Sequence, residues 1–413
     1  MRTILLSSIA CLAILNAAAA ENATTESLAS ISGQLARESN EAYEASPYAA
    51  LSKDYFLRFS RDTKAHFADF MDRRMGVILP TEKRSRADSL DDIDKAVVFL
   101  DSGGGNPDVA ESFTITVKRG EIRVVGRDAR GLRDGIVRLV DRIGFRQAPI
   151  LPMGEQVYTP RLAVRLGAVP KFGSYRELVF MGYNATFVGG GSLHALSTSD
   201  AIPELVARQR PGALEAGVRA AEDARRHGLK TYCFINTRQK FPKDDPVFRA
   251  HPEIRGALTW KADGEYVLCT EHPLVRRYLA ESVTGIFRAD PALDGLVVII
   301  GGEGFYHCFM RPYGTAKGHT NCNRCEALGA ETVVANLCNL LSEAARSVNP
   351  KAELIAWPYS AEHVWSADKA QVGFIRRLKP GCAIFTEIEK DEFVQKPDGV
   401  RKHLWDYSID LIG

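Results

Sequence analysis

Apolar and polar residues alternate through the stretch ESFTITVKRGEIRVVG (111–126), a period of two that predicts two half-buried strands joined by a turn at Arg119-Gly120. The following RGLRDGIVRLVDRI (130–143) places its apolar residues at helical spacing, and AVVFL (96–100) reads as a short buried strand. Residues 76–155 are therefore expected to form one small α+β domain. Ahead of them, residues 21–75 are rich in Ala, Glu and Ser, with Tyr55, Phe56, Phe59, Phe67 and Phe70 at helical intervals, which predicts a helical lead-in.

After Pro160 the rhythm changes to short apolar runs separated by helical stretches, the pattern of repeated βα units on a parallel sheet. Six strands are expected: RLAVRLGAV, YNATFVGG, LKTYCFIN, GLVVIIGGE, ELIAWPYS and CAIFTEIE, with a seventh starting at YSIDLIG (407–413). Helices such as ALEAGVRAAEDARRHG and AETVVANLCNLLSEAARSV lie between them, the second stopped by Asn349-Pro350. A doubly wound sheet would carry a Gly-rich phosphate turn after its first strand, whereas the first strand here runs into Val169-Pro170-Lys171. The expectation for residues 156–413 is thus a (β/α)8 TIM-type barrel. A complete one needs about 250 residues, and long loops leave room for only six or seven units, so the barrel is expected to be C-terminally incomplete.

With 53 Lys and Arg against 51 Asp and Glu, the chain lacks the basic footprint of a nucleic-acid partner. Residues 1–20, MRTILLSSIACLAILNAAAA, combine an early Arg, a short apolar run and an Ala-x-Ala site, the layout of a cleavable signal peptide. Export to a periplasmic or extracellular location follows, and no later run approaches the roughly twenty apolar residues of a membrane span. Of eight cysteines, Cys11 lies in that leader, and Cys233 and Cys338 sit at core positions of a strand and a helix. Cys308 followed by Cys322-Asn323-Arg324-Cys325 forms a C-x2-C knuckle to which Cys269 adds a fourth thiol. A structural zinc site and disulfides in an oxidising compartment are both consistent with this spacing.

Several stretches resemble known carbohydrate enzymes. SFTITV and IRVVGRDARGLRDGIVRL, within 105–150, resemble the small domain that precedes the barrel in glycoside hydrolase family 20 and in the family 67 α-glucuronidases. Pro160-Arg161-Leu162-Ala163-Val164-Arg165 is similar to the family 20 opening of the first barrel strand, which implies that Arg165 holds sugar hydroxyls. Tyr183-Asn184-Ala185-Thr186 resembles the second strand, and Ile299-Ile300-Gly301-Gly302-Glu303 the end of the fourth. Where family 20 has Asp then Glu, this chain has Glu303 then Gly304, so one carboxylate of the acetamide-assisted pair is missing.

The residues themselves point the same way. Glu303 follows the buried run 296–300, at the strand end where barrel active sites form, and a carboxyl beside an apolar wall suits a general acid. Gly301-Gly302 would let the backbone approach a ligand. Glycoside hydrolysis needs a second carboxylate, and the sixth strand supplies Glu387, with Glu389, Asp391 and Glu392 as competitors. Tyr306, His307, Trp357 and Tyr359 lie just past strand ends, as do Asn236 and Arg238, all suited to sugar faces and hydroxyls. Arg165, Arg238 and Arg311 together would grip the carboxylate of a uronic acid. The expectation is a hydrolase of glycosidic bonds in an oligo- or polysaccharide, needing no catalytic cofactor. Gly304 favours a rival, a non-catalytic carbohydrate-binding protein with a degenerate barrel; a metalloenzyme using His307 and His319 lacks an HExxH-like pair.

Overall fold

The computed structural model describes residues 48–50, 56–59, 64–79, 81–83, 97–102, 109–169, 173–235, 240–304, 307–367, 371–385, 392–395 and 401–404. The chain divides into two units, 1–163 and 164–413, a boundary slightly later than the sequence pattern suggests. The segment YSIDLIG lies outside the described residues.

In the first unit the alternating stretch forms the expected hairpin, Phe113–Lys118 against Glu121–Gly126. Ile115, Val117, Ile122 and Val124 face inward and are buried against Leu132, Ile136, Leu139 and Ile143 of the helix Ala129–Gly144. Close packing of helix on sheet depends on Gly126, where a Cβ would fall 2.0 Å from the Leu132 nitrogen. The helix begins at Asp128, whose carboxylate accepts from the backbone N–H groups of Arg130 and Gly131 and, across the turn, of Glu111.

Where a helical lead-in was expected, the described residues form two strands, Tyr48–Ala50 and Phe56–Phe59, and one helix. Phe56–Phe59 pairs in parallel with Val97–Ser102 and with Thr81–Lys83 inside a six-stranded sheet, and among the described residues of the lead-in Lys64–Met75 is helical. Phe56 and Phe59 have a spacing that mimics a helix, but a strand's backbone is satisfied by neighbours distant in sequence, which local periodicity cannot report.

The second unit contains all six expected strands, trimmed to Leu166–Gly167, Ala185–Phe187, Lys230–Ile235, Gly295–Ile299, Glu353–Trp357 and Cys382–Ile384. They form one parallel sheet in chain order, each strand beside its predecessor. A doubly wound sheet reverses strand order at a switch point; unbroken sequential order is barrel winding, here as a six-stranded half-barrel. Alternate residues divide between two cores. Ala185, Tyr232, Val297 and Ile355 meet on the inner face. Cys233, Leu296, Val298 and Leu354 turn outward to the helices Pro273–Ala289 and Ala330–Arg346, where Cys338 is fully buried, as its helical position predicts. Burial on both faces explains the unbroken apolar runs. No helix among the described residues is long and apolar enough to cross a membrane.

Asp128 provides a test of the first unit. Burial pushes its carboxyl up, but the N–H groups of Gly131, Glu111 and Arg130 outweigh this and hold it below the ordinary Asp value. A depressed folded-state pKa contributes stability above the unfolded value, and that stability is lost as pH falls through the folded one. Asp128→Ala is expected to cost about 1 kcal/mol at neutral pH. In thermal denaturation the difference from wild type should shrink on acidification.

Candidate active site at the carboxyl rim of the sheet

All six strands present their carboxyl ends to one edge, the edge at which barrel loops build sites. The ladder between the fourth and fifth strands continues past their formal ends: Ile300 donates its N–H to the Trp357 carbonyl (2.9 Å), and Gly302 donates to the Tyr359 carbonyl (2.7 Å). Gly301 makes this approach sterically possible, because a Cβ there would sit 1.6 Å from the Tyr359 oxygen. At Gly302 a Cβ would meet Ser360 at 2.9 Å and the Arg311 guanidinium at 3.0 Å. The glycine pair expected to admit a ligand therefore admits neighbouring protein.

Glu303 follows directly at this rim. It was expected against an apolar wall, but the buried run ends at Gly302, and Glu303 is exposed, with no hydrogen-bond or ion-pair partner among the described residues. Gly304 turns the chain with φ +90°, a conformation that favours glycine.

On the inner face, the period of two that places Tyr232, Val297 and Ile355 inward brings Phe234, Ile299 and Trp357 to the same side one step nearer the rim. Trp357 packs on Phe385 (ring centroids 4.7 Å apart) and meets Tyr359 edge-on (5.6 Å). Its indole Nε1 has no hydrogen-bond partner among the described residues, although buried indole N–H groups ordinarily find one.

A second aromatic group comes from the long loop after the third strand. That loop carries a three-stranded antiparallel sheet of Lys240–Phe241, Tyr266–Leu268 and Arg255–Leu258. Trp260 at its tip is half exposed, donates its backbone N–H to the Arg311 carbonyl (3.0 Å), and its ring lies under the Arg311 guanidinium at 5.0 Å. Arg311 also donates Nε–H to the Gly302 carbonyl at 3.3 Å. Trp260, Arg311 and Ser360 all have φ between +49° and +69°, unusual for residues with a Cβ and a form of strain that gathers at functional sites.

Two expected sugar-binding residues do other work. His307 is fully buried: Nε2–H donates to the Ile300 carbonyl (2.9 Å) and Nδ1 accepts from the Phe309 N–H (3.3 Å), leaving no nitrogen for a ligand. Burial pushes its pKa down to about 4, outweighing the Ile300 carbonyl, so the ring is neutral at ordinary pH. Position just past a strand end does not distinguish a side chain that lines the opening from one that props its loop. Arg165 precedes its strand, and its Nε–H donates to the Gly182 carbonyl (2.7 Å) before the second strand begins. It stands at the amino edge of the sheet, opposite Glu303, so the three-arginine grip on a carboxylate is not assembled. Arg238, Asn236, Tyr306 and Glu387, with Glu389 and Asp391, lie outside the described residues. The sequence reading missed Trp260 and Phe385; the usable signal was a tryptophan within the polar turn TWKADGEY.

In the loops after the third and fourth strands, Cys269, Cys308, Cys322 and Cys325 come together, all buried, all free thiols, every sulfur within 4.8 Å of the others. Cys308, Cys322 and Cys325 hold the Cys269 thiol far below its ordinary pKa by directing their S–H groups at its sulfur. An apolar cavity lies elsewhere, behind the sheet between Val188, Cys233 and the helix residues Leu214 and Ile286.

No protein-family model matches this chain, and no curated protein does. Among solved structures it is similar to a glycoside hydrolase family 138 enzyme targeting pectin rhamnogalacturonan II, with a TM-score of 0.50 at 11% identity over 80% of this chain and 38% of that one. It is also similar to a β-N-acetylhexosaminidase from Bacteroides fragilis (TM-score 0.47, 13% identity, 82% of this chain and 67% of that one) and to a family 20 β-N-acetylglucosaminidase (0.47, 16%, 82% and 72%). None of these three is a family 67 enzyme. At such identities the likeness concerns the fold alone, and this chain spans well under half of the family 138 enzyme.

Gly301→Ala should cost more than the roughly 1–3 kcal/mol typical of overpacking, because the obstacle is a backbone carbonyl that cannot rotate away. Gly314→Ala is the control, since nothing lies within 4 Å of a Cβ there, though its positive φ adds some strain. Thermal denaturation of the two variants should rank them in that order.

Proposed function

We propose that the chain is an exported glycoside hydrolase that binds a saccharide on the inner-face aromatic group at the carboxyl rim and protonates the departing oxygen from Glu303. The observation that carries this reading is a juxtaposition. An indole N–H on an aromatic platform (Trp357 with Phe385 and Tyr359) and a carboxyl (Glu303), neither with a partner among the described residues, belong to two adjacent strand ends, joined through the Gly302–Tyr359 hydrogen bond. Sugars present apolar ring faces for stacking and hydroxyls that need polar partners, which this combination supplies. The likeness to carbohydrate-active folds agrees with it.

In this reading Glu303 is the general acid and Glu387, three residues beyond the sixth strand, is the second carboxylate. A separation of about 5–5.5 Å between the two would make Glu387 a nucleophile in a retaining reaction, and about 6.5–9.5 Å would make it the base for water in an inverting one. A saccharide laid across Trp357 would exclude water from the exposed Glu303 carboxyl, placing the proton transfer in a drier setting.

The second reading is a non-catalytic saccharide-binding protein. Gly304 and the exposure of Glu303 favour it, since neither belongs to a complete acid pair.

Glu303→Gln separates the two. A general acid contributes about 10²–10⁴-fold, so turnover of a saccharide with a poor leaving group should fall by at least about a hundredfold while the melting temperature holds. Unchanged turnover would remove Glu303 from the chemistry, and calorimetric binding without any sugar release from the wild type would favour the second reading. Trp357→Ala should weaken saccharide binding in the same calorimetry under either reading, by about 1–3 kcal/mol for the lost aromatic face.

A further inference from the structure

We propose that Cys269, Cys308, Cys322 and Cys325 hold one zinc ion in a closed tetrahedral site that fixes the loop carrying Glu303. The sulfur spacing selects the occupant. Four thiolates about 2.3 Å from a central zinc stand about 3.8 Å from one another, and the sulfurs here lie at 3.5 Å (Cys269 to Cys325), 3.9 Å (Cys269 to Cys322) and no more than 4.8 Å in every other pair. Disulfides would divide the four into two pairs bonded at about 2.05 Å, whereas Cys269 sits near both knuckle sulfurs at once. An iron–sulfur cluster would put several irons and sulfides between the cysteines and needs them further apart.

The surroundings are built for a charged sulfur centre. Binding displaces the remaining thiol protons and changes no oxidation state, so zinc and four thiolates carry a net charge of −2. Arg324, inside the knuckle, places a positive charge beside Cys269, Cys322 and Cys325. Gly256 leaves the room: a Cβ there would fall 2.7 Å from the Cys308 sulfur and 3.0 Å from the Val267 carbonyl. Four thiolates complete the coordination and leave no position for water, so the ion is structural.

Its position gives it a task. Cys269 directly follows the strand Tyr266–Leu268 of the loop after the third barrel strand, while Cys308, Cys322 and Cys325 belong to the loop after the fourth, starting five residues past Glu303. The ion would join these two loops where they already pair, through Tyr313 N–H to the Leu258 carbonyl (2.8 Å) and the Thr259–Pro312 bridge. The proposal does not depend on the hydrolase reading.

Elemental analysis of the purified full-length chain should find one zinc per molecule. A mercurial thiol reagent should release it stoichiometrically, as followed with a zinc-sensitive dye, with four thiols consumed per zinc. Cobalt substituted for zinc should give the intense visible bands of tetrahedral thiolate coordination. Cys269→Ser and Cys325→Ser should lose the metal, and Cys233→Ala, buried in the outer core, should keep it. The wild-type measurements stand even if the serine variants fail to fold. Disulfides among these four cysteines in the unreduced protein, iron in place of zinc, or a reduced chain that neither contains nor takes up zinc would each overturn the assignment.

Discussion

The rim of the second unit depends on a contact with no side chain in it. At Gly301 the chain passes so close to Tyr359 that a Cβ would coincide with the carbonyl, and this lets the parallel ladder run beyond Ile299 and Trp357 to the bond between Gly302 and Tyr359. Each added rung fixes two more backbone positions without any burial of apolar area, so Glu303 leaves the sheet from a defined point. The exposed carboxyl and the Trp357 platform are held together by backbone hydrogen bonds, which position groups more narrowly than packing of flexible side chains does.

Around that contact the loops are tied in a closed sequence. The carbonyl of Ile300 accepts from both His307 Nε2–H and Trp365 Nε1–H, so two buried rings from different loops converge on one oxygen. His307 can accept from the Phe309 N–H at Nδ1 only as a neutral ring, and burial, by disfavouring the charged form, maintains it. Arg311 spans from the Gly302 carbonyl to the face of Trp260, and the four cysteines join the same two loops deeper in the protein. Residues at positive φ appear where these ties meet, which is expected when surrounding structure imposes a backbone conformation that the residue would not choose.

Legibility varied with the range of the interaction. The hairpin at Arg119-Gly120, the helix after it and all six barrel strands follow from periodicity, because burial on one face or on both writes itself into neighbouring residues. Phe56–Phe59 did not, because its partners are Val97–Ser102 and Thr81–Lys83. In the site, strand-end position located Glu303, Trp357 and Tyr359 at the rim but could not tell an exposed acid from a shielded one. Nor could it separate a ring facing the opening from one that, like His307, faces its own loop. Arg165 misled for a related reason: it matches a motif, yet the ordered strand begins after it rather than before.

By itself, the sequence determined the order and direction of the barrel strands, the hairpin and the C-x2-C knuckle, since each depends on residue type at short, regular spacing. Tertiary structure alone decided which faces meet: that two glycines serve a neighbouring backbone, that a histidine becomes a buried strut, and that Cys269 joins a knuckle more than fifty residues away. Those outcomes depend on loops brought together by the winding of the sheet, and the distances between them are set by packing across the fold rather than by any local preference of the chain.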